Sequence, residues 1–302
     1  MLLENLCQTL DGMRTTSLSQ GSVWGWRNRC SMEWPNYSSF VTSPWFADQW
    51  EFVIYRAVCA LVTLSILVYS IPTDSNRWYT YFTNWAYTAF ALHFCWAAAV
   101  CFLDYRNNPD NKRGKSRGGP AKMALKIGWV IYNIAMPSAF FVSFEYWVSP
   151  WPVTLGFRSF LRHTLNSIMA VMDIMVSGIP SRLDHVVFSV LFGIVYNTFV
   201  VLYWLLDCRG YFGKPYIYSF LDLNTVPLQA VVIMTGSNFV IMPAAHAVVC
   251  LLYQTRLVLL ARFRKRRAHE VKLTPWQKSI IPIEVHEDVV MDMLSSTDEQ
   301  IV

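Results

Sequence analysis

Apolar residues in this chain gather into long unbroken runs, without the every-second-residue alternation of a strand. Six runs stand out: Phe52 to Ile71, Thr83 to Leu103, Ile127 to Trp147, Phe160 to Ile179, Val186 to Leu206 and Val231 to Leu251, the last staying apolar to Leu260. Each is close to the 20 or so residues a helix needs to cross about 30 Å of hydrocarbon. Hydrocarbon offers no partner to a free backbone N–H or C=O, so runs of this length predict helices, and a barrel would show alternating segments of about 10 residues. The expected fold is all-α: a polytopic transmembrane helix bundle of about six spans. It divides into an N-terminal segment at 1–50, a membrane domain at 51–262 and a basic, then acidic tail at 263–302. Composition agrees, because 54% of the 302 residues are hydrophobic and 15% are charged, against about 25% charged in soluble domains.

Charge orients the bundle. Lysine and arginine concentrate between Arg106 and Lys126 and between Arg262 and Lys272. With six spans these clusters share a side with both termini, and that side holds nineteen basic residues against five on the other; Arg56, inside the first run, is the remaining one. Positive charge favours the cytoplasm, so cytoplasmic termini are expected. The sequon Asn36-Tyr37-Ser38 is then hidden from the lumenal glycosylation machinery. The opening residues lack the basic and apolar regions of a cleavable signal peptide, so the first span is expected to direct insertion. The loop at 107–119 reads as flexible. The cluster Arg262 to Arg267 reads as a stop-transfer anchor that also attracts anionic lipid, and the tail from Glu284 reads as disordered. Seven scattered cysteines form no CxxC pair and no metal-like spacing. No phosphate loop, GxSxG or HExxH is present, so no cofactor, metal or nucleic acid is expected.

Polar residues inside the runs carry the candidate chemistry, since ionisable groups in a span are costly and face the bundle interior. The fourth run holds His163, Asn166, Ser167, Asp173 and Ser177 at helical spacing, with Ile168, Met172 and Met175 on the opposite face. The second opens with Thr83, Asn84, Tyr87 and Thr88 and carries His93; Glu145 ends the third; Tyr196 and Asn197 lie in the fifth, and Asn238 and His246 in the sixth. The topology places Thr83, His163 and Glu145 at one depth, with Asp173 about 15 Å deeper. A hydroxyl, an imidazole and a carboxylate at one level are the minimum for an activated nucleophile. Interhelical hydrogen bonding explains the same residues without chemistry, and Thr83 suits a helix N-cap.

The stretch Trp78-Tyr79-Thr80-Tyr81-Phe82-Thr83-Asn84-Trp85 resembles the opening of span two in rolling stone proteins. So do His163-x-x-Asn166-Ser167 with Met172-Asp173, Pro180-x-Arg182-x-x-His185, Gly193-x-x-Tyr196, and Ile217-Tyr218-x-x-Leu221-Asp222, from about Ser43 to about Arg262. That resemblance implies a multi-pass membrane protein with a role in myoblast fusion. A more distant resemblance reaches the androgen-induced membrane hydrolases, which cleave fatty acid esters of hydroxy fatty acids with an intramembrane threonine and histidine. Their nucleophile falls on Thr83, but their catalytic histidine falls on Asn166, which cannot act as a base near neutral pH; their other histidine falls on His163. Two functions follow. One is a non-catalytic protein of cell–cell contact or fusion in the plasma membrane or endoplasmic reticulum, with the bilayer and a tail-bound cytoplasmic protein as partners. The other is a hydrolase of lipid esters, with Thr83 as nucleophile, His163 as base and Glu145 or Asp173 orienting it. A transporter or receptor is the third and weakest reading.

Overall fold

The computed structural model describes residues 32–34, 37–73, 77–107, 120–148, 156–209 and 213–272. The sequon at Asn36, the basic loop at 108–119 and the acidic tail beyond Lys272 lie outside the described residues. The described residues form helices, turns and irregular connections, with no strand among them. The helices are α1 (Gln49–Thr73), α2 (Phe82–Asn107), α3 (Pro120–Val148), α4 (Phe157–His163), α5 (Leu165–Val176), α6 (Val186–Leu205), α7 (Pro227–Gly236) and α8 (Met242–Lys272). A π-helical turn, Ser237–Ile241, joins α7 to α8. The chain divides into a unit at 1–250 and a smaller one at 251–302, whose described part is the end of α8.

Five stretches are long and apolar enough to cross a membrane: Gln49–Pro72, Phe82–Asn107, Lys122–Val148, Leu183–Leu205 and Pro227–Arg266. They cover the first, second, third, fifth and sixth predicted runs. The fourth run, expected as one helix from Phe160 to Ile179, is instead broken. A single turn residue, Thr164, separates α4 from α5 at φ −117° and ψ −51°, with its N–H still donating to Phe160 O at 3.0 Å and its carbonyl accepting from the Ile168 N–H at 3.1 Å; α5 ends at Val176, followed by extended chain to Arg182. These pieces still traverse the bundle antiparallel to α3. Ser167 Oγ donates to Ala139 O at 3.1 Å near one end, and Trp129 Nε1 donates to Pro180 O at 2.8 Å near the other. Extended backbone at this depth is tolerated only where protein satisfies it. Here Trp129 meets Pro180, Tyr132 and Ser181 share a hydrogen bond of 3.0 Å, and the Gly178 N–H donates to Thr42 O at 3.2 Å.

Two ends can be told apart in the first unit. At one, residues 32–34 and 37–48 form a strap. Ser43 Oγ and Trp45 Nε1 donate to the last carbonyls of α5, Val176 O and Met175 O, each at 2.6 Å. Gln49 Nε2 donates to Asp104 at the end of α2, and Trp34 and Phe40 pack edge-on against Trp129. Glu33 reaches Lys122 at 2.9 Å and Lys126 at 2.5 Å on α3. These lysines, Lys126 foremost, hold the Glu33 carboxyl down at about 2, and Glu33 raises Lys122 in return. Gly178 lies so close to the Ser39 carbonyl that a Cβ would strike it. At the opposite end, Phe82, Val142, Tyr196, Met234 and Met242 build an apolar core. There the Tyr196 phenol donates to Thr80 O at 2.8 Å, and Asp222 closes a turn by accepting from Asn224 N at 2.9 Å and Thr225 Oγ1 at 2.7 Å.

Candidate functional site

Asp173 is the most deeply committed polar residue of the fourth stretch. It lies on α5 and is fully buried, as the interior face of the sequence stripe requires. Arg56, one of the few charges inside a span, is fully buried on α1 and sets Nη1 2.5 Å from Asp173 Oδ1. His93 on α2 places Nε2 3.0 Å from Oδ2, and the Tyr55 hydroxyl lies 3.4 Å from Oδ1. Three helices thus converge on one carboxylate. The Arg56 guanidinium also lies over the Phe52 ring, 4.8 Å from its centroid, while its Nε and Nη2 find no partner among the described residues. In hydrocarbon an unpaired charge costs several kcal/mol, so an arginine and an aspartate facing each other across helices fix how α1 and α5 pack.

A second, neutral cluster lies further along the same stretch. Ser143 Oγ on α3 donates to the His163 carbonyl, lies 2.5 Å from Ser167 Oγ and lies 3.2 Å from Asn166 Oδ1. Asn166 Oδ1 also accepts from the Ser167 N–H at 2.7 Å, so it closes the break between α4 and α5. The His163 ring stacks on Tyr146 with centroids 3.8 Å apart and 9° between planes, and it hydrogen-bonds to the Val142 backbone. Its Nδ1 and the Thr164 hydroxyl are buried without a partner among the described residues.

The five sequence candidates are therefore distributed. Thr83 is half-buried at the start of α2 and hydrogen-bonds with the Tyr218 hydroxyl, which also accepts from the Phe82 N–H at 3.0 Å. Burial pushes that phenol up to about 12. Glu145 accepts from Ser237 Oγ at 3.1 Å, at the first residue of the π-helical turn. His163 and Asn166 share Ser143, whereas Asp173 belongs to Arg56 and His93. No hydrogen bond joins Thr83 to His163, or either to Asp173 or Glu145, among the described residues. Ile168 and Met172 are exposed on the outer face of α5, as the stripe predicts, and Met175 is half-buried. Arg56 and Ser143 were not among the candidates. A lone arginine inside an apolar run was the available signal for Arg56, because such a charge needs a carboxylate and Asp173 and Glu145 are the acids inside the runs.

Five helical stretches long and apolar enough to cross a bilayer, packed around a buried ion pair, define a polytopic helical membrane protein. The model of the family described as protein rolling stone matches residues 27–279, which is most of the chain, and the chain belongs to that family. It is similar to protein rolling stone of Drosophila melanogaster, 26% identical over 215 residues that make up 67% of this chain and 78% of the relative. No solved structure matches.

Proposed function

We propose that this chain works without hydrolysis, as a multi-pass membrane protein that supports cell–cell contact of the kind myoblast fusion requires. One observation carries the reading: the hydroxyl, imidazole and carboxylate that a nucleophilic site would need are each held by a different partner, Tyr218, the Val142 backbone with Tyr146, and Arg56 with His93. Asn166, which stands where the androgen-induced hydrolases carry their base, serves as a hydrogen-bond acceptor that closes a helix break. In this reading both termini face the cytoplasm, as the lysine and arginine asymmetry supports. The plasma membrane is the working compartment, and the tail recruits a cytoplasmic partner.

Hydrolysis of lipid esters is the second reading, and His163 Nδ1 favours it, because no bond among the described residues occupies that imidazole nitrogen. One experiment separates the two. Membranes holding the wild-type protein are treated with a fluorophosphonate hydrolase probe beside Thr83→Ala and His163→Ala, and the same cells are scored for mixing of cytoplasmic dyes. The expected result is no labelling that depends on Thr83 or His163, with dye mixing above that of cells lacking the protein. Labelling lost in both variants would make the protein a hydrolase. Dye mixing no higher than in control cells would remove the contact role.

A further inference from the structure

The strap is fastened to the membrane domain through the C-terminal end of α5, and one of its fasteners is a hydroxyl. Ser43 Oγ donates to Val176 O at 2.6 Å. Trp45 Nε1 donates to Met175 O, and Gly178 N–H donates to Thr42 O. The four free carbonyls at a helix end need such donors, and the end carries about half a negative charge. Ser43 lies in irregular chain between the turn at Tyr37–Phe40 and α1, is half-buried, and is followed by the exposed pair Pro44 and Trp45. The Pro44 ring biases Ser43 toward extended backbone. A serine directly before a proline, in a segment with no regular backbone hydrogen bonding of its own, is the substrate pattern of a proline-directed kinase.

We propose that Ser43 is a phosphorylation site, and that its phosphoryl group releases the strap from α5. In the transfer, Ser43 Oγ attacks the γ-phosphorus of ATP while the bond from that phosphorus to the bridging oxygen breaks. ADP leaves and the hydroxyl proton passes to the kinase's own base. Two changes follow at once. The oxygen that donated to Val176 O has no proton left to donate. In its place stands a group of about −1.5 to −2 charge, set against the negative end of the helix dipole. Both oppose docking, and the remaining bonds from Trp45 and Gly178 flank the same point. The last turn of α5 also carries the Ser177 N–H bond to Asp173 O, so its loosening reaches the backbone of the residue that pairs with Arg56. In cells this rests on the cytoplasmic orientation proposed above, and the test below does not.

Purified full-length protein in detergent, where both faces are reachable, is incubated with a proline-directed kinase and magnesium ATP. Mass spectrometry then locates the phosphate, and hydrogen–deuterium exchange is followed in peptides covering 37–48 and 174–182. The expected result is phosphate on Ser43, absent in Ser43→Ala and strongly reduced in Pro44→Ala. Exchange in both peptides rises several-fold while α2 and α3 keep their protection. Folded protein that takes no phosphate at Ser43, or that takes it with exchange in both peptides unchanged, overturns the proposal. The orientation is read separately, by antibody access to an N-terminal epitope in intact and permeabilised cells.

Discussion

The fourth stretch carries two polar clusters about two turns apart, and they obey different physics. At Asp173 a carboxylate faces a guanidinium, with an imidazole hydrogen-bonded beside them, the three drawn from three helices. At Ser143 the groups are neutral: hydroxyls, an amide and a carbonyl gathered around a helix break. A buried charge demands a matching charge, whereas neutral groups settle for whichever donor or acceptor is near. The ionic cluster dictates which helices meet; the neutral one adapts to where they have met.

The largest way to break this contrast is Arg56→Met. It leaves Asp173 charged and buried, and should cost about 3–5 kcal/mol in the thermal unfolding of the detergent-solubilised protein. Adding Asp173→Leu should restore most of the loss; a double variant as unstable as the single would remove the ion pair from its organising role. His93→Phe keeps the shape but takes a hydrogen bond from a charged oxygen, at an expected cost of about 1.5–3 kcal/mol in the same assay. Ser143→Ala tests the neutral cluster and should cost about 1 kcal/mol, the worth of an ordinary hydrogen bond. A loss as large as that of Arg56→Met would erase the distinction.

The smallest effect belongs to a third kind of pair, the exposed bridges from Glu33 to Lys126 and Lys122. Here the carboxyl titrates lower in the folded protein than its ordinary 4.5, at about 2. Its stabilisation is complete above 4.5 and is lost as pH falls from there toward 2. Glu33→Gln should flatten that part of the pH–stability curve and leave the curve near neutrality almost unchanged, since exposed pairs contribute little. An unchanged acid limb in the variant would assign the slope to other carboxylates.

How far the sequence could be read follows the same division. Long apolar runs announce helices because crossing hydrocarbon leaves the backbone no alternative, and five of the six runs are helices long enough to do so. The break at Thr164 has no proline or glycine to mark it. Beside it the His163 carbonyl accepts from Ser143, on a helix twenty residues earlier, and the Ser167 N–H turns to the neighbouring Asn166 side chain. The stripe of the fourth run was legible because one helix's own period sets it. Its assignment to a shared site with Thr83 was not, because depth in a bilayer says nothing of which neighbour stands beside a residue. Arg56 could have been matched to a carboxylate on charge alone; that the carboxylate would be Asp173, 117 positions on, depends on how the helices are arranged.

The extended leg from Ser177 to Arg182 bears on the order in which the protein is built. A helix emerging from the insertion channel carries its hydrogen bonds with it, whereas bonds to this leg come from other parts of the chain. The side chains and backbone that receive it, Thr42, Trp129 and Tyr132, all lie earlier in the chain. Synthesis from the N-terminus therefore delivers the hosts before the guest, and the leg enters the membrane against surfaces already waiting for it. A later bond is added by α8: His246 Nε2 donates to Arg182 O at 2.9 Å. A chain stopped before α8 lacks that bond.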